Sequence, residues 1–412
     1  MSTSETIDGS GYPLAFKVRQ GGVRSPLLTS DFGRDVFIAE ARTLSGYQKE
    51  AVVSEGSRGS AWRMTTDEGK HIKGTDLAPF PLGFYNAGLH ADLLRRILVI
   101  ARARSMAAPQ VEIKLQNFYF LDGSFVRGDG IGGAEPAKIE VKIQAQAPSD
   151  QIAALVYDAV RASPALATMR SAVTNTFAIY VNGRRRKATT LKNSTGPDAA
   201  DPFLTYSEPP APLDGANDLS DLIRKTGKVQ TGDIVDVSDG TIRRVVRTVS
   251  GASRLLDPAG ITDTNTWLEM PGLSHFAFKS DDRMVENANE EVGPSGLALI
   301  AAGIVFCYMT QLSRYIIHQK FDIHGVRIVQ RTPFAMEGDP GDGSWTGNIE
   351  PVDTHLFLNG GEDDEAHERL MTIAANTCYL HATLAARLDP IVSIEHNGKP
   401  ITRPVDYAAT GD

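Results

Sequence analysis

The chain has 412 residues, of which 42% are hydrophobic and 22% charged, and its formal net charge is -8. This size and composition are typical of a globular protein with room for two or three domains. The acidic balance argues against nucleic acid as the main partner, because duplex binding rests on neutralising phosphates. Two cysteines are too few for a secreted disulfide framework, and they form no C-x-x-C zinc pattern.

Targeting and membrane signals are weak at the level of sequence. The first 30 residues contain no long apolar run after a basic start, so no signal peptide is predicted. The most apolar stretch, from Gly296 to Val305, is soon followed by polar residues and is short for a membrane span. We therefore expect a cytoplasmic protein with no membrane partner.

Along the chain, four segments recur in the same order at an offset of 215 residues. The spacing of apolar residues predicts, in turn, a long helix, a strand, a second helix and a closing strand. The matched pairs are NAGLHADLLRRI with AAGIVFCYMTQL, VEIKL with VRIVQ, SDQIAALVYDAV with DEAHERLMTIAA, and YVNGR with EHNGK. A duplicated unit is the simplest explanation of a common register.

The predicted strands come in hairpin-like pairs, which favours an α+β fold over a doubly wound parallel sheet. We expect two tandem units, each a mostly antiparallel sheet with two main helices. The first helix of each unit is apolar nearly all round and is expected to lie buried between the sheets of the two units. The expected division is residues 1–190, a linker-like segment at 191–230, and residues 231–412.

Neither a cofactor nor a metal is expected. The series Gly128-x-Gly130-x-x-Gly133 has the spacing of a dinucleotide fingerprint, but a strand pattern follows it where the fingerprint needs a helix. A hairpin loop is the better interpretation. The histidines are scattered, without the spacing of a zinc or iron site.

Both cysteines lie in the second unit, Cys307 in its first long helix and Cys378 in its second. At the repeat offset, the first unit has Asp92 in place of Cys307 and Ser163 in place of Cys378. Buried thiols can serve simply as small hydrophobes. Two thiols in one unit also permit redox or nucleophilic chemistry.

This arrangement resembles the OsmC family, the osmotically inducible and organic hydroperoxide resistance proteins. The stretches GLALIAAGIVFCYMTQLSRYI and DDEAHERLMTIAANTCYLHATL are similar to the two cysteine-bearing helices of that family. The likeness covers about His275 to Asn397, while about Trp62 to Gly183 resembles the same fold without thiols. It implies an intertwined pseudodimer within one chain, which could pair again as a homodimer.

The resemblance also implies a chemistry. Cys307 would be the peroxidatic thiolate that attacks an organic hydroperoxide, Cys378 would be the resolving thiol, and an unidentified thiol would be the reductant. The family lowers the thiol pKa with an arginine and with a carboxylate at the start of the first-cysteine helix. That carboxylate position falls on Leu297 here. Arg283 and Arg314 are the candidate arginines.

Two alternatives remain open from the residues. In the first, the protein is a cofactor-free hydrolase or lyase acting on a small organic electrophile where the units meet. His381 would be the base for Cys378, and Asp92, His90 and Arg95 would supply polar groups. Asp92 could equally be a structural ion-pair partner of Arg95 or Arg96. In the second alternative, the protein is a binding module with an apolar ligand between the units.

Overall fold

A computed structural model describes residues 5–22, 33–214, 221–231, 244–285 and 287–401. These ranges contain six α-helices: α1 (Pro81–Ala103), α2 (Ser149–Ala162), α3 (Pro164–Arg170), α4 (Gly296–Gln319), α5 (Asp364–Thr377) and α6 (Tyr379–Ala385). The strands of the first half are β1 (Ala15–Arg19), β2 (Gly33–Thr43), β3 (Lys49–Ser54), β4 (Ala61–Thr66), β5 (Gln110–Asp122), β6 (Ile131–Gln144), β7 (Thr176–Val181) and β8 (Arg184–Arg186). The strands of the second half are β9 (Ile223–Val229), β10 (Arg244–Asp257), β11 (Ile261–Leu268), β12 (Ser274–Asp281), β13 (Ile323–Glu337), β14 (Thr346–Ile349), β15 (Asp353–Gly360), β16 (Ile391–His396) and β17 (Lys399–Ile401).

The strands form two large sheets, and each sheet takes strands from both halves of the chain. The first sheet has the order β1-β4-β3-β2-β13-β15-β7-β8, with β14 also paired to β13. The second has the order β17-β16-β6-β5-β10-β11-β12-β9. Neighbouring strands are antiparallel except for β15 beside β7 and β16 beside β6. The α+β class and the mostly antiparallel sheets predicted from sequence are confirmed.

The order of elements repeats along the chain. Helices α1 and α4 begin 215 residues apart, and the same spacing separates α2 from α5, α3 from α6, β7 from β16 and β8 from β17. This is the offset found in the sequence, so the repeated segments have the same secondary structure in both halves. The arrangement is consistent with two OsmC-like units whose strands are exchanged.

The two long helices lie between the sheets. Helix α4 packs on β2, β3 and β13 of the first sheet, α1 packs on β10, β11 and β12 of the second, and the helices pack on each other. Helix α4 has no charged residue before Arg314 and is buried on all sides as far as Ser313. The predicted burial of both helices between the sheets is confirmed.

Glycines let α1 and α4 approach closely. A Cβ atom on Gly88 would lie 2.6 Å from the carbonyl oxygen of Gly296, and one on Gly303 would lie 2.8 Å from the backbone nitrogen of Tyr85. Gly88 and Gly303 occupy equivalent positions of the repeat. Both therefore lie at the helix crossing, where larger residues would force the backbones apart.

Two sequence expectations need adjustment here. The segment at 191–230 is not a simple linker, because it includes strand β9, which pairs with β12 in the second sheet. The apolar stretch that begins at Gly296 was expected to be too short for a membrane span, but by length and composition alone helix α4 could cross a membrane. Its apolar window is entirely buried inside the protein, as expected of a core helix.

Candidate active site

The two thiols come from different elements that meet beside α4. Cys307 lies in the middle of α4, buried in the core. Cys378 does not lie within a helix as the sequence suggested. It is the extended residue, at φ -76° and ψ 113°, that separates α5 from α6. Ser163 occupies the same position between α2 and α3, where Pro164 accounts for the break.

Both cysteines are in the thiol form, and their sulfurs lie within hydrogen-bonding reach of each other. Burial raises the pKa of Cys307 well above its usual range, and the neighbouring Cys378 raises it further. Burial acts in the same direction on Cys378, but interaction with Cys307 and then with His381 outweighs it and holds the pKa of Cys378 well below its usual range. Within the pair, Cys378 is therefore the more acidic thiol, and Cys307 is its hydrogen-bond donor.

His381 lies in α6 directly behind the thiol pair. Its imidazole is buried between the rings of Phe177 and Tyr308, with ring centroids 5.3 and 4.9 Å away, respectively. Neither ring nitrogen forms a short hydrogen bond with a described residue. The imidazole nevertheless lies near enough to Cys378 to lower the pKa of that thiol.

A cavity of about 800 Å³ opens in front of Cys307. Its walls come from both halves of the chain: the segment after β4, the start of α1, the β5–β6 loop, β10, β11, α4 and α6. Cys307 lines this cavity, whereas Cys378 and His381 do not. A molecule in the cavity can thus reach the sulfur of Cys307 and not that of Cys378.

Arg314 is one of three arginines on the cavity wall, of which Arg127 is largely exposed. Arg314 extends from α4 with its guanidinium carbon 3.8 Å from the centre of the Phe125 ring, and it donates a hydrogen bond to Gln311. The third is Arg247, in β10. Burial lowers the pKa of Arg247, and the positive charge of Arg314 lowers it further.

The first half of the chain supplies a carboxylate and an amine beside Cys307. Glu68, which follows β4, accepts a 2.5 Å hydrogen bond from Thr310 of α4, and burial raises its pKa. Lys49, at the start of β3, is fully buried and donates to the carbonyl of Tyr47 at 2.6 Å. Burial lowers the pKa of Lys49, while Glu68, Asp67 and Cys307 partly oppose that change. These charges are close enough to Cys307 to affect its ionisation.

The structure does not bring Arg283 to the thiols. Its guanidinium forms an ion pair with Asp281 at 2.9 Å and donates to the carbonyl of Glu290. It lines a different cavity, together with Arg95. Arg283 occupies the repeat position of Glu68, and it lines this second cavity as Glu68 lines the cavity in front of Cys307.

Asp92 is likewise separate from the thiol cavity, and its surroundings are structural. Its carboxylate accepts hydrogen bonds from Ser163 at 2.5 Å and from Arg96 at 2.6 and 2.9 Å, with both charged side chains fully buried. His90, two residues earlier, contacts Ser253 at 2.8 Å, and burial lowers its pKa to about 3. In the first half, an ion pair and a hydroxyl thus replace the two thiols.

Of the residues predicted for the site, Cys307, Cys378, Arg314 and His381 are brought together, and Arg283 and Asp92 are not. Sequence reasoning missed Glu68, Lys49 and Arg247, because each belongs to an element that only strand exchange brings near Cys307. The sequence held one signal of their role: at the repeat offset, the acidic Glu68 of the first half stands where the second half has the basic Arg283. Within the described part of the chain, no cluster of three His, Cys, Asp or Glu could hold a metal ion.

Comparison with known proteins identifies the thiol-bearing region. Residues 288–392, which include both cysteines, match the family model described as OsmC-like protein. Among solved structures, the chain is similar to an OsmC-like hydroperoxide resistance protein from Jannaschia sp. CCS1, with 20% identity, a TM-score of 0.21, and coverage of 34% of this chain and 86% of that one. No curated protein matches the sequence. The predicted resemblance to the OsmC family is confirmed for residues 288–392.

Proposed function

Because residues 288–392 form an OsmC-like domain, we propose that this protein is a thiol-dependent peroxidase that reduces organic hydroperoxides through Cys307 and Cys378. The observation that carries the proposal is the pair of thiols within hydrogen-bonding reach of each other, of which Cys307 lines the cavity of about 800 Å³ and Cys378 does not. A peroxidase of this kind needs one thiol that the hydroperoxide can reach and a second that can close a disulfide with it. The division between an accessible and a buried thiol meets both needs.

The electrostatics suggest how Cys307 becomes a nucleophile. Cys307 donates its proton towards the thiolate of Cys378, so transfer of that proton generates a thiolate at the cavity wall. The Cys307 thiolate attacks the terminal oxygen of the hydroperoxide and the O–O bond breaks, giving a sulfenic acid on Cys307 and an alkoxide. Glu68, whose pKa burial raises, is suited to protonate the alkoxide to the alcohol.

Cys378 completes the cycle as the resolving thiol. Its sulfur attacks the sulfenic sulfur of Cys307, so a disulfide forms and water leaves. An external dithiol then reduces the disulfide by exchange and restores both thiols. The hydroperoxide is thereby reduced to an alcohol and water at the expense of the external dithiol.

The hydrolase alternative lacks a supporting observation. A Cys-His pair would make Cys378 the nucleophile and His381 its base. Neither residue lines the cavity, so a substrate carbon held there would meet Cys307 first. Asp92, which that alternative also used, is engaged by Arg96 and Ser163.

The test is turnover of cumene hydroperoxide with a small dithiol as reductant. Cys307→Ser should abolish the reaction. Cys378→Ser lacks both the proton acceptor for Cys307 and the resolving thiol, so its oxidation should be slower but should stop at the sulfenic acid of Cys307, which dimedone captures. Ser163→Ala, at the repeat position of Cys378, is the matched control and should keep the wild-type rate. Wild-type turnover by Cys307→Ser would refute the proposal.

A further inference from the structure

The cavity in front of Cys307 has a positively charged wall that the peroxidase chemistry itself does not use. Arg247 and Arg314 reach it from different elements, β10 and α4. Neither forms an ion pair with a carboxylate among the described residues, and the one hydrogen bond of their guanidinium groups there joins Arg314 to Gln311. Arg314 is held in place by stacking on Phe125.

The two guanidinium groups act on each other unfavourably. Burial lowers the pKa of Arg247, and the charge of Arg314 lowers it further. Glu68 is the acidic residue that lines the same cavity, but it is hydrogen-bonded to Thr310, and burial raises its pKa. Two like charges held close together without an ion-pair partner destabilise a fold, and clusters of this kind are typical of ligand sites.

The rest of the cavity wall is suited to an organic group. The side chains of Phe80, Leu82, Leu121, Phe125 and Leu268 line it. A ligand with an apolar body and one anionic group would therefore pack its body against these residues while its charge met the two arginines. Guanidinium groups bind carboxylates with charge-assisted hydrogen bonds that give direction as well as affinity.

We propose that Arg247 and Arg314 form an anion subsite, so that the preferred substrates are organic hydroperoxides that carry a carboxylate on an apolar body. The proposal rests on the function proposed above for the reaction, but the subsite itself depends only on the cavity and its two arginines. It assigns Arg247 and Arg314 to substrate selection and leaves the chemistry to Cys307 and Cys378.

A pair of substrates that differ only in charge tests the selection. The wild-type protein should reduce para-carboxycumene hydroperoxide with a kcat/KM about ten- to hundred-fold above that for cumene hydroperoxide, as expected for hydrogen bonds to a charged group. Arg247→Gln and Arg314→Gln should each lose most of that preference, measured as the ratio of kcat/KM for the two hydroperoxides, whatever change they make in the rate with cumene hydroperoxide. Arg247→Lys, which keeps the charge, should retain part of it.

Arg127 provides the matched control. It also lines the cavity, but its side chain is 70% exposed and pairs with Asp129. Arg127→Gln should leave the preference nearly unchanged, because exposed charges are screened by solvent. Equal rates for the two hydroperoxides in the wild type, or a preference that survives in both arginine variants, would overturn the subsite.

A binding measurement separates this inference from the peroxidase proposal. Calorimetry with 4-isopropylbenzoate, which has no peroxide bond, should show binding that Arg247→Gln and Arg314→Gln weaken, whereas the neutral 4-isopropylbenzamide should bind weakly to all three proteins. That result without hydroperoxide turnover would keep the subsite and reject the peroxidase. Hydroperoxide turnover without charge-dependent binding would keep the peroxidase and reject the subsite.

Discussion

At the scale of single residues, the thiol pair divides two properties that one cysteine was expected to combine. The sequence assigned both access and a lowered pKa to Cys307. In the structure Cys307 faces the cavity, but the lowered pKa belongs to Cys378. Since the two thiols share a hydrogen bond, protons leave the pair in steps that belong to both residues.

His381 should control the first of these steps. Burial opposes ionisation of Cys378, and interaction with Cys307 and then with His381 more than offsets that opposition. His381→Gln removes a group that lowers the pKa of Cys378, so the first thiolate should form at higher pH than in the wild type. The ultraviolet absorbance of the thiolate, followed against pH, measures this midpoint without requiring access to the buried sulfur.

The control for this experiment is His355→Gln. His355 is also buried, but it contacts Asp353 and Tyr180 at 2.9 and 3.2 Å, away from the thiols. Its replacement should not move the midpoint. A midpoint that stays constant in His381→Gln as well would show that the imidazole does not stabilise the thiolate.

The ion pair between Asp92 and Arg96 gives a prediction about stability. Asp92→Ala leaves a fully buried guanidinium without its carboxylate, and breaking a buried pair in this way typically costs about 3–5 kcal/mol. Replacing both residues together, by Asp92→Leu with Arg96→Met, should recover most of that loss. Urea denaturation measures the free energy of unfolding of each variant.

The exposed pair of Arg127 and Asp129 is the reference for that comparison. Its side chains are 70% and 54% exposed, so Asp129→Ala should change the free energy of unfolding by no more than about 1 kcal/mol. If Asp92→Ala were as mild as Asp129→Ala, the first-half pair would not be a structural replacement for the thiols.

At the scale of elements, the crossing of α1 and α4 positions the thiols against the first sheet. A Cβ on Gly303 would meet the backbone nitrogen of Tyr85 at 2.8 Å, so Gly303→Ala should push the helices apart. We expect a net loss of about 1–3 kcal/mol in the free energy of unfolding, despite the better helix propensity of alanine. Thermal or urea unfolding measures it.

Gly83→Ala in α1 is the matched control. Its Cβ would meet side-chain atoms, with Thr266 Oγ1 nearest at 3.0 Å, and a side chain can move more cheaply than a neighbouring backbone. It should therefore be the milder of the two changes. If Gly303→Ala had the same free energy of unfolding as Gly83→Ala, helices α1 and α4 could move apart at their crossing without loss of stability.

Individual elements were largely accessible from the sequence because they depend on local pattern. Helix α4 is a continuous apolar run, and the repeat located both cysteine-bearing segments. The break at Cys378 was not predicted, because Tyr379 permits a continuous helix where Pro164 does not. The break there comes with the packing of α6 against α3 and α4, which no local pattern reveals.

At the scale of the whole molecule, exchange of strands decides which residues surround the thiols. Because β13 and β15 join the sheet of β1–β4, Glu68 and Lys49 of the first half lie near Cys307 of the second. Sequence positions close to α4 therefore pointed to Leu297 for the activating carboxylate and to Arg283 for the activating arginine, whereas the charged groups near Cys307 come from the first half. Only the pairing of strands from the two halves could correct that assignment.

Strand exchange also predicts that the halves depend on each other. Residues 1–214 and 221–412, produced separately, should not give stable monomers, because each would lack the strands that complete its sheets. Co-expressed, they should assemble into a one-to-one complex that reacts with hydroperoxide. Size-exclusion chromatography and circular dichroism follow both outcomes, and a cooperatively folded monomer of either half would argue against this interdependence.

The most direct test of the central claim is a single-turnover oxidation of the reduced protein. One equivalent of cumene hydroperoxide is added under anaerobic conditions, free thiols are titrated, and peptides are mapped by mass spectrometry. The account predicts loss of both thiols and one disulfide joining Cys307 to Cys378 within a single chain. Two unchanged thiols beside unconsumed hydroperoxide would contradict it.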